Sequence, residues 1–328
     1  MNESAAPASL PLPHQIPMTF GQILDRIYRL MHSNFKLLVG IAAVPAVASF
    51  LILGVVFAVA FVPLIARGQS HPDPSAVLYL MIPAIIIVML LNLVIFALYL
   101  AASIFAALQT HLGLKTSFSE AYAVAWKRCG RYVWLMFLGY LIALAPVLVA
   151  ELVIAVPMGL FSMNKATPSP ALFFMIPLGI LLFLAAFVYG VIMALRLSLA
   201  FPASLAEDLP ALAAIRRSGQ LTQGAKGRIF LVLLVIYALA YAAEMVIGIV
   251  LMVAFGIGAL AVAALHIQLA SVAGVLGAVV AGLCLFGCCL LWMALIWAAF
   301  STAFAVIYQD QRLRLEGPQP AAPVEVPA

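Results

Sequence analysis

The sequence predicts an all-α polytopic bundle of about six transmembrane helices, set out as three repeats of a short amphipathic helix followed by a helical hairpin. Three observations lead to it. Hydrophobic residues make up 67% of the 328-residue chain and charged residues only 8%, against roughly 25% charged in an ordinary soluble domain. So few polar groups cannot cover a water-soluble fold of this size, whereas lipid accepts an apolar helix surface as it stands. The apolar residues fall in long runs, and all of the 16 Lys and Arg except Arg67 and Lys165 lie in alternate gaps between those runs.

Each span follows from a run longer than the ~20 apolar residues needed to cross the hydrocarbon core. The first covers about 37–65, between Lys36 and Arg67, and the second about 77–108. The third, about 132–158, opens on Trp126, Tyr132 and Trp134, amphipathic rings that favour the headgroup level. The fourth covers about 171–197, the fifth about 229–254 and the sixth about 271–307. Several exceed the minimum, which implies tilt or extension beyond the bilayer. Residues 255–268 either extend span five or form a separate external helix. The membrane domain is thus expected over 19–308, with disordered tails at 1–18, which holds Pro7, Pro11, Pro13 and Pro17, and at 309–328. The N-terminal stretch lacks the basic and short apolar regions of a cleavable signal.

Charge gives the orientation. Arg26, Arg29 and Lys36 precede span one; Lys115, Lys127, Arg128 and Arg131 lie between spans two and three. Arg196, Arg216, Arg217, Lys226 and Arg228 lie between four and five, and Arg312 and Arg314 follow six. Positive residues stay in the cytoplasm, so both termini and the two longer connections are expected there. Topology accounts for the formal net charge of +5, and no nucleic-acid partner is expected from it.

The basic patches repeat. FGQILDRIYRL from Phe20 leads into span one, FSEAYAVAWKR from Phe118 into span three, and the stretch Pro210–Leu221 into span five. In the first, Ile23, Ile27, Leu30 and Met31 share one helical face while Asp25 and Arg29 form an (i, i+4) pair. In the second, Ser117 and Glu120 fit a capping box. Such helices dock their apolar face either on lipid, with basic groups toward anionic headgroups, or on protein; the spacing does not separate the two.

TFGQILDRIYRL from Thr19, with Asn34-Phe-Lys before span one, resembles the opening of a bacterial membrane-domain family named after the membrane region of certain glycerophosphoryl diester phosphodiesterases. EDLPALAAIRRSGQLT, Glu207 to Thr222, followed by Gly227-Arg, resembles its second hallmark. The resemblance implies a six-span architecture in a bacterial cytoplasmic membrane. It implies no hydrolase, because in the phosphodiesterases the chemistry belongs to a separate soluble barrel. The longest connection here, roughly 30 residues between spans four and five, is far below the ~100 residues of a domain.

Candidates for chemistry are few. Glu244 and Glu151 are carboxylates within apolar runs and are expected to face the bundle interior, a wet cavity or a boundary, since intramembrane charge is costly. Glu151 lies about one span's length from Tyr132; Glu244 is the deeper. Asn92 in span two either serves a polar path or bonds across helices. Arg216, Arg217, Lys226 and Arg228 are candidates for contact with lipid or a partner. Gly274, Gly277, Ala281 and Cys284, continued by Ala270 and Cys288, form a stripe of small residues that reads as a helix-packing seam, within the chain or to a second copy.

No catalytic set, cofactor or metal is expected. His14, His32, His71, His111 and His266 are scattered, and Cys129, Cys284, Cys288 and Cys289 lack metal-ligand spacing. The reading is an integral membrane protein acting as a non-enzymatic scaffold or accessory protein. Membrane lipids and a protein partner or second copy are its expected contacts. The alternative is a transporter or channel with Glu244 as coupling residue.

Overall fold

The computed structural model describes residues 17–66, 74–163, 170–264 and 272–317. They form α1 (Phe20–Ser33), α2 (Phe35–Ala66), α3 (Pro74–His111), α4 (Phe118–Lys127), α5 (Cys129–Met163), α6 (Pro170–Leu197), α7 (Ala200–Ala206), α8 (Ala211–Leu221), α9 (Lys226–Ala264) and α10 (Val272–Glu316), with no strand among the described residues. Six segments are long and apolar enough to cross a membrane: Phe35–Val56, Ile82–His111, Cys129–Ala155, Pro177–Ala206, Lys226–Gly258 and Gly287–Glu316. The chain is an all-α polytopic bundle, and the protein is an integral membrane protein.

The short helices start where their first residues dictate. Thr19 and Gln22 close a reciprocal capping box on α1, with Gln22 N–H donating to the Thr19 hydroxyl and Thr19 N–H to the Gln22 side chain. Ser117 and Glu120 do the same for α4. Each box satisfies two of the amide groups that a helix N-terminus leaves unpaired. At α8 the fixed φ of Pro210, −65°, sets the entry instead. Ile23, Ile27, Leu30 and Met31 of α1 are buried, chiefly against α10, so its apolar face docks on protein.

α3 and α10 form the centre. Both run toward the end of the bundle where α1, α4, α7 and α8 gather, here called the basic face, and both pack on α2. Their contact is made of small side chains: Ala97 and Ala101 on α3, and Ala294, Ala298, Ser301 and Ala305 on α10 are fully buried. Small residues let helix axes approach closely, which is how membrane helices gain packing without a hydrophobic driving force between them. The α5–α6 hairpin packs on α3 through α5, and α9 makes lighter contacts with α10, α6 and α1. The buried core lies toward the basic face. Farther from it, large apolar side chains such as Val55, Ile86, Leu152, Leu181 and Ile249 are exposed.

One choice left open by the sequence reading is decided, and one element boundary differs from it. α9 runs unbroken to Ala264, so the stretch from 255 extends span five that far, while residues 265–271 lie outside the described residues. α10 continues to Glu316, so residues 309–316 are helix where a tail was expected. The (i, i+4) pairs Asp310–Arg314 and Arg312–Glu316 hold that extension. Met18, assigned to the other tail, is 3% exposed and fixed to the basic face.

Candidate functional site

The charged residues concentrate on the basic face, where four clasps join the helices. The first is built on Glu207, just after α7. Its carboxylate accepts two 3.0 Å bonds from Arg217 Nε and one of 2.8 Å from the buried Tyr308 hydroxyl of α10. Arg217 also pairs with Glu316, which in turn accepts from Arg312 at 2.9 Å.

The second clasp is on Asp208, whose φ of 53° lies in the left-handed region that Asp tolerates better than most residues. That turn presents three acceptors to Arg131 at the start of α5: the Asp208 carboxylate at 2.9 Å, the Asp208 carbonyl at 3.0 Å and the Leu209 carbonyl at 3.2 Å. Arg128 pairs with the same carboxylate.

The third clasp is centred on the fully buried Asp310. Asp310 accepts from the Met18 amide at 2.7 Å, from Arg314 Nε at 2.9 Å and from Gln311 at 3.2 Å, and pairs with Arg228 at 3.4 Å. Arg314 and Arg228 also donate to the Met18 carbonyl. A carboxylate with no exposure is tolerable only when paired and hydrogen-bonded in this way. In the fourth, Arg26 of α1 donates to the His111 carbonyl at the end of α3, at 2.9 Å. Burial, with Arg29 adding like-charge repulsion, lowers the Arg26 pKa from its ordinary value.

The stretch Glu207–Thr222 thus acts as a structural device. Ser218 is fully buried, accepts from the Leu199 amide at 3.2 Å and donates to the Arg196 carbonyl at 2.6 Å, stapling α8 to the α6–α7 break. Thr222 donates back to the Ser218 carbonyl at 2.9 Å. A Cβ on Gly219 would lie 3.1 Å from Arg196 Nε, so the glycine leaves room for that guanidinium.

The candidate residues from the sequence divide accordingly. Arg217 and Arg228 are taken up by clasps, whereas Arg216 and Lys226 are exposed. Asn92 bonds across helices: Ser49 Oγ of α2 donates to its Oδ1 at 2.5 Å, and its amide donates to the Val88 carbonyl at 2.9 Å. Glu244 and Glu151 are exposed on the outer surfaces of α9 and α5 and line neither of the two cavities described below. The interior position considered for Glu244 is not the one it takes. It lies about 24 Å of helix rise beyond Arg228, where outward exposure lets the carboxylate reach toward the far interface. Gly274, Gly277, Ala281 and Cys284 lie in the helical part of α10, but their surroundings, and Ala270 itself, fall outside the described residues. The described small-residue seam is farther along the same helix, at Ala294, Ala298, Ser301 and Ala305.

Sequence reasoning missed Asp310, Tyr308 and Glu316, and used Arg314 for orientation alone, because it ended span six at 307. The alternating charges of Asp310–Glu316 at helical spacing were the available signal. Among the described residues no cluster of His, Cys, Asp and Glu could hold a metal ion.

Among the described residues, two sizeable cavities lie between the helices. One, of about 400 Å³, is an open pocket between α3, α5, α6, α7 and α10, with Ile215 of α8 at its edge. The other, of about 480 Å³, lies between α1, α9 and α10 beside the start of α2. Both are lined almost wholly by apolar and aromatic side chains.

Comparison with protein-family models, curated proteins and solved structures finds no match to this chain.

Proposed function

We propose that this protein is a non-enzymatic scaffold or accessory protein of a bacterial cytoplasmic membrane, with the basic face and both termini in the cytoplasm. In this reading the basic face binds anionic lipid headgroups and offers a platform to a protein partner. One observation carries it. On the basic face every described Asp and Glu is engaged within the chain, whereas Lys36, Lys115, Lys127, Arg216 and Lys226 are exposed with no acidic partner among the described residues. What this face offers outward is therefore on balance cationic, since of its described acids only exposed Glu120 is held by neutral donors alone. Each such charge near an anionic leaflet contributes about 1 kcal/mol of attraction. The resemblance of the Thr19 and Glu207 stretches to the phosphodiesterase membrane-region family fits this reading, since in that family the membrane part is separate from the chemistry.

The test uses purified protein in neutral detergent. Anionic phospholipid is expected to raise its melting temperature more than zwitterionic phospholipid does. A variant with Lys115, Lys127, Arg216 and Lys226 changed to Gln is expected to keep the wild-type melting temperature without lipid and to lose the anionic gain. Equal gains from both lipids, or an unchanged gain in the variant, would remove the reading.

The transporter alternative rests on Glu244, whose outward position away from both cavities weighs against it. Glu244→Gln is accordingly expected to leave proton-driven flux in vesicles unchanged. Labelling of single cysteines between Lys115 and Arg131 tests the orientation, and reaction only from outside the cell would reverse it.

A further inference from the structure

Among the described residues, two buried side-chain polar atoms have no hydrogen-bond partner: Tyr99 Oη and Trp292 Nε1. Tyr99 lines the cavity between α3, α5, α6, α7 and α10, and Trp292 lines the one between α1, α9 and α10. Each cavity therefore pairs an apolar wall with one orphaned donor. Nearly all buried polar groups in folded proteins find partners, so the coincidence of both exceptions with the two cavities is informative.

The chemistry of the missing partner follows from the atoms present. An indole N–H can only donate. The Tyr99 hydroxyl lies near Ser103 and Ser301 without completing a hydrogen bond to either. Ser301 donates to the Ala298 carbonyl at 3.1 Å and meets Ser103 at 2.5 Å. In the arrangement where Ser103 donates to Ser301, both serine protons are committed and the Tyr99 proton is the one to be given. Tyr99 is 4% exposed and its ring is held against Trp297 at 5.9 Å and Phe96 at 6.3 Å, so it is fixed facing the cavity. Both donors call for an acceptor. Among the described residues no Lys or Arg lines either cavity, so an uncharged acceptor such as a carbonyl oxygen fits these walls better than a phosphate headgroup does. The volumes, about 400 and 480 Å³, fall in the ordinary range of ligand pockets.

We infer that the two cavities bind acyl-chain lipids, with hydrocarbon against the apolar walls and a carbonyl oxygen accepting from Tyr99 Oη in one and from Trp292 Nε1 in the other. Ester-linked phospholipid and free fatty acid share this chemistry. The inference stands on the cavities alone and does not depend on what the basic face binds.

Tryptophan provides the readout, because brominated acyl chains quench it on contact. Trp126 and Trp134 are exposed and are replaced by Phe; a further Trp292→Phe leaves Trp297, in the wall of the first cavity, as sole reporter. The full-length protein, in detergent, is titrated with brominated phosphatidylcholine or brominated fatty acid. Saturable quenching by either is expected, and the stronger of the two identifies the source. Gly139 lines this cavity and an added Cβ there meets no atom within 4 Å, so Gly139→Leu fills the space without a clash at Cβ and is expected to abolish the saturable component. Tyr99→Phe, which keeps the ring and removes only the hydroxyl, is expected to weaken binding about three- to tenfold. Restoring Trp292 in place of Trp297 reports the second cavity in the same way. Absence of saturable quenching at Trp297, or quenching unaltered by both Gly139→Leu and Tyr99→Phe, would overturn the assignment.

Discussion

The Tyr122 hydroxyl of α4 donates a 2.9 Å hydrogen bond to the Ile41 carbonyl of α2. Four residues beyond Ile41 stands Pro45, which has no N–H to close the helical bond that carbonyl would otherwise accept. A proline in one repeat is thus compensated by a side chain from the next. Tyr122→Phe is expected to destabilise the protein by about 1 kcal/mol, measured by denaturant unfolding in detergent. In a Pro45→Ala background, where the helix closes its own bond, the same change should cost less. Equal costs in the two backgrounds would show that the proline and the phenol are uncoupled.

The same phenol carries a pH signature. Burial raises the Tyr122 pKa well above its ordinary value, which is near 10. With the folded value above the unfolded one, the contribution is intact below about pH 10 and is lost as pH rises further. Between pH 10 and 11 the wild type should therefore lose more stability than Tyr122→Phe, as read from melting temperatures in a pH series.

The Glu207–Arg217 pair is mostly buried, with side-chain exposures of 18% and 21%. Removing one partner strands the other, so Arg217→Gln and Glu207→Gln are each expected to cost about 2–3 kcal/mol. The double variant should cost less than the sum of the two, a coupling that a double-mutant cycle reads directly. Arg216→Gln, at the exposed neighbour, should fall within about 0.5 kcal/mol of wild type.

Asp310 holds the Met18 amide and faces both Arg228 and Arg314. Asp310→Asn leaves two guanidinium groups together without a carboxylate, and the start of α1 should loosen. Faster amide hydrogen exchange over Met18–Ile23, with little change in α5 and α6, is the expected pattern. Uniform change across the bundle would show a global defect instead.

At Asp208 the left-handed backbone and the ion pair to Arg131 can be separated. Asp208→Gly relieves the backbone and loses the pair; Asp208→Ala loses both. Ala should therefore be the worse by about 1 kcal/mol, and Asp208→Asn should lie nearer wild type, since Asn tolerates this conformation and its side-chain oxygen still accepts. Unfolding midpoints of the three variants give the order.

Much of this architecture was legible in the sequence. Spans announce themselves by length and composition, and the α1 face was readable because Ile23, Ile27, Leu30 and Met31 recur at helical spacing. The Ser117–Glu120 box was readable because both halves are local. What was not legible depends on long-range pairing. Nothing in the local pattern around Asp310 says that its partners are Met18 and Arg228, and hydropathy falls at Gln309 although the helix does not end there. Arg217 and Arg228 resembled Arg216 and Lys226 because one basic patch holds all four; only the fold separates the two that are paired from the two that are exposed. Glu244 illustrates the same limit, since depth in a span can be counted from the sequence but facing cannot be fixed without knowing the neighbours.

α10 packs more extensively on α2 and α3 than on α9, its neighbour in the chain, and its far end secures Met18. A helix that leaves the ribosome well after α2 and α3 therefore completes the hairpin they form. Until α10 is made, α2 and α3 must wait in the bilayer with their small-residue faces uncovered, and termination before α10 would leave this earlier-made hairpin, more than its chain neighbour α9, without its partner.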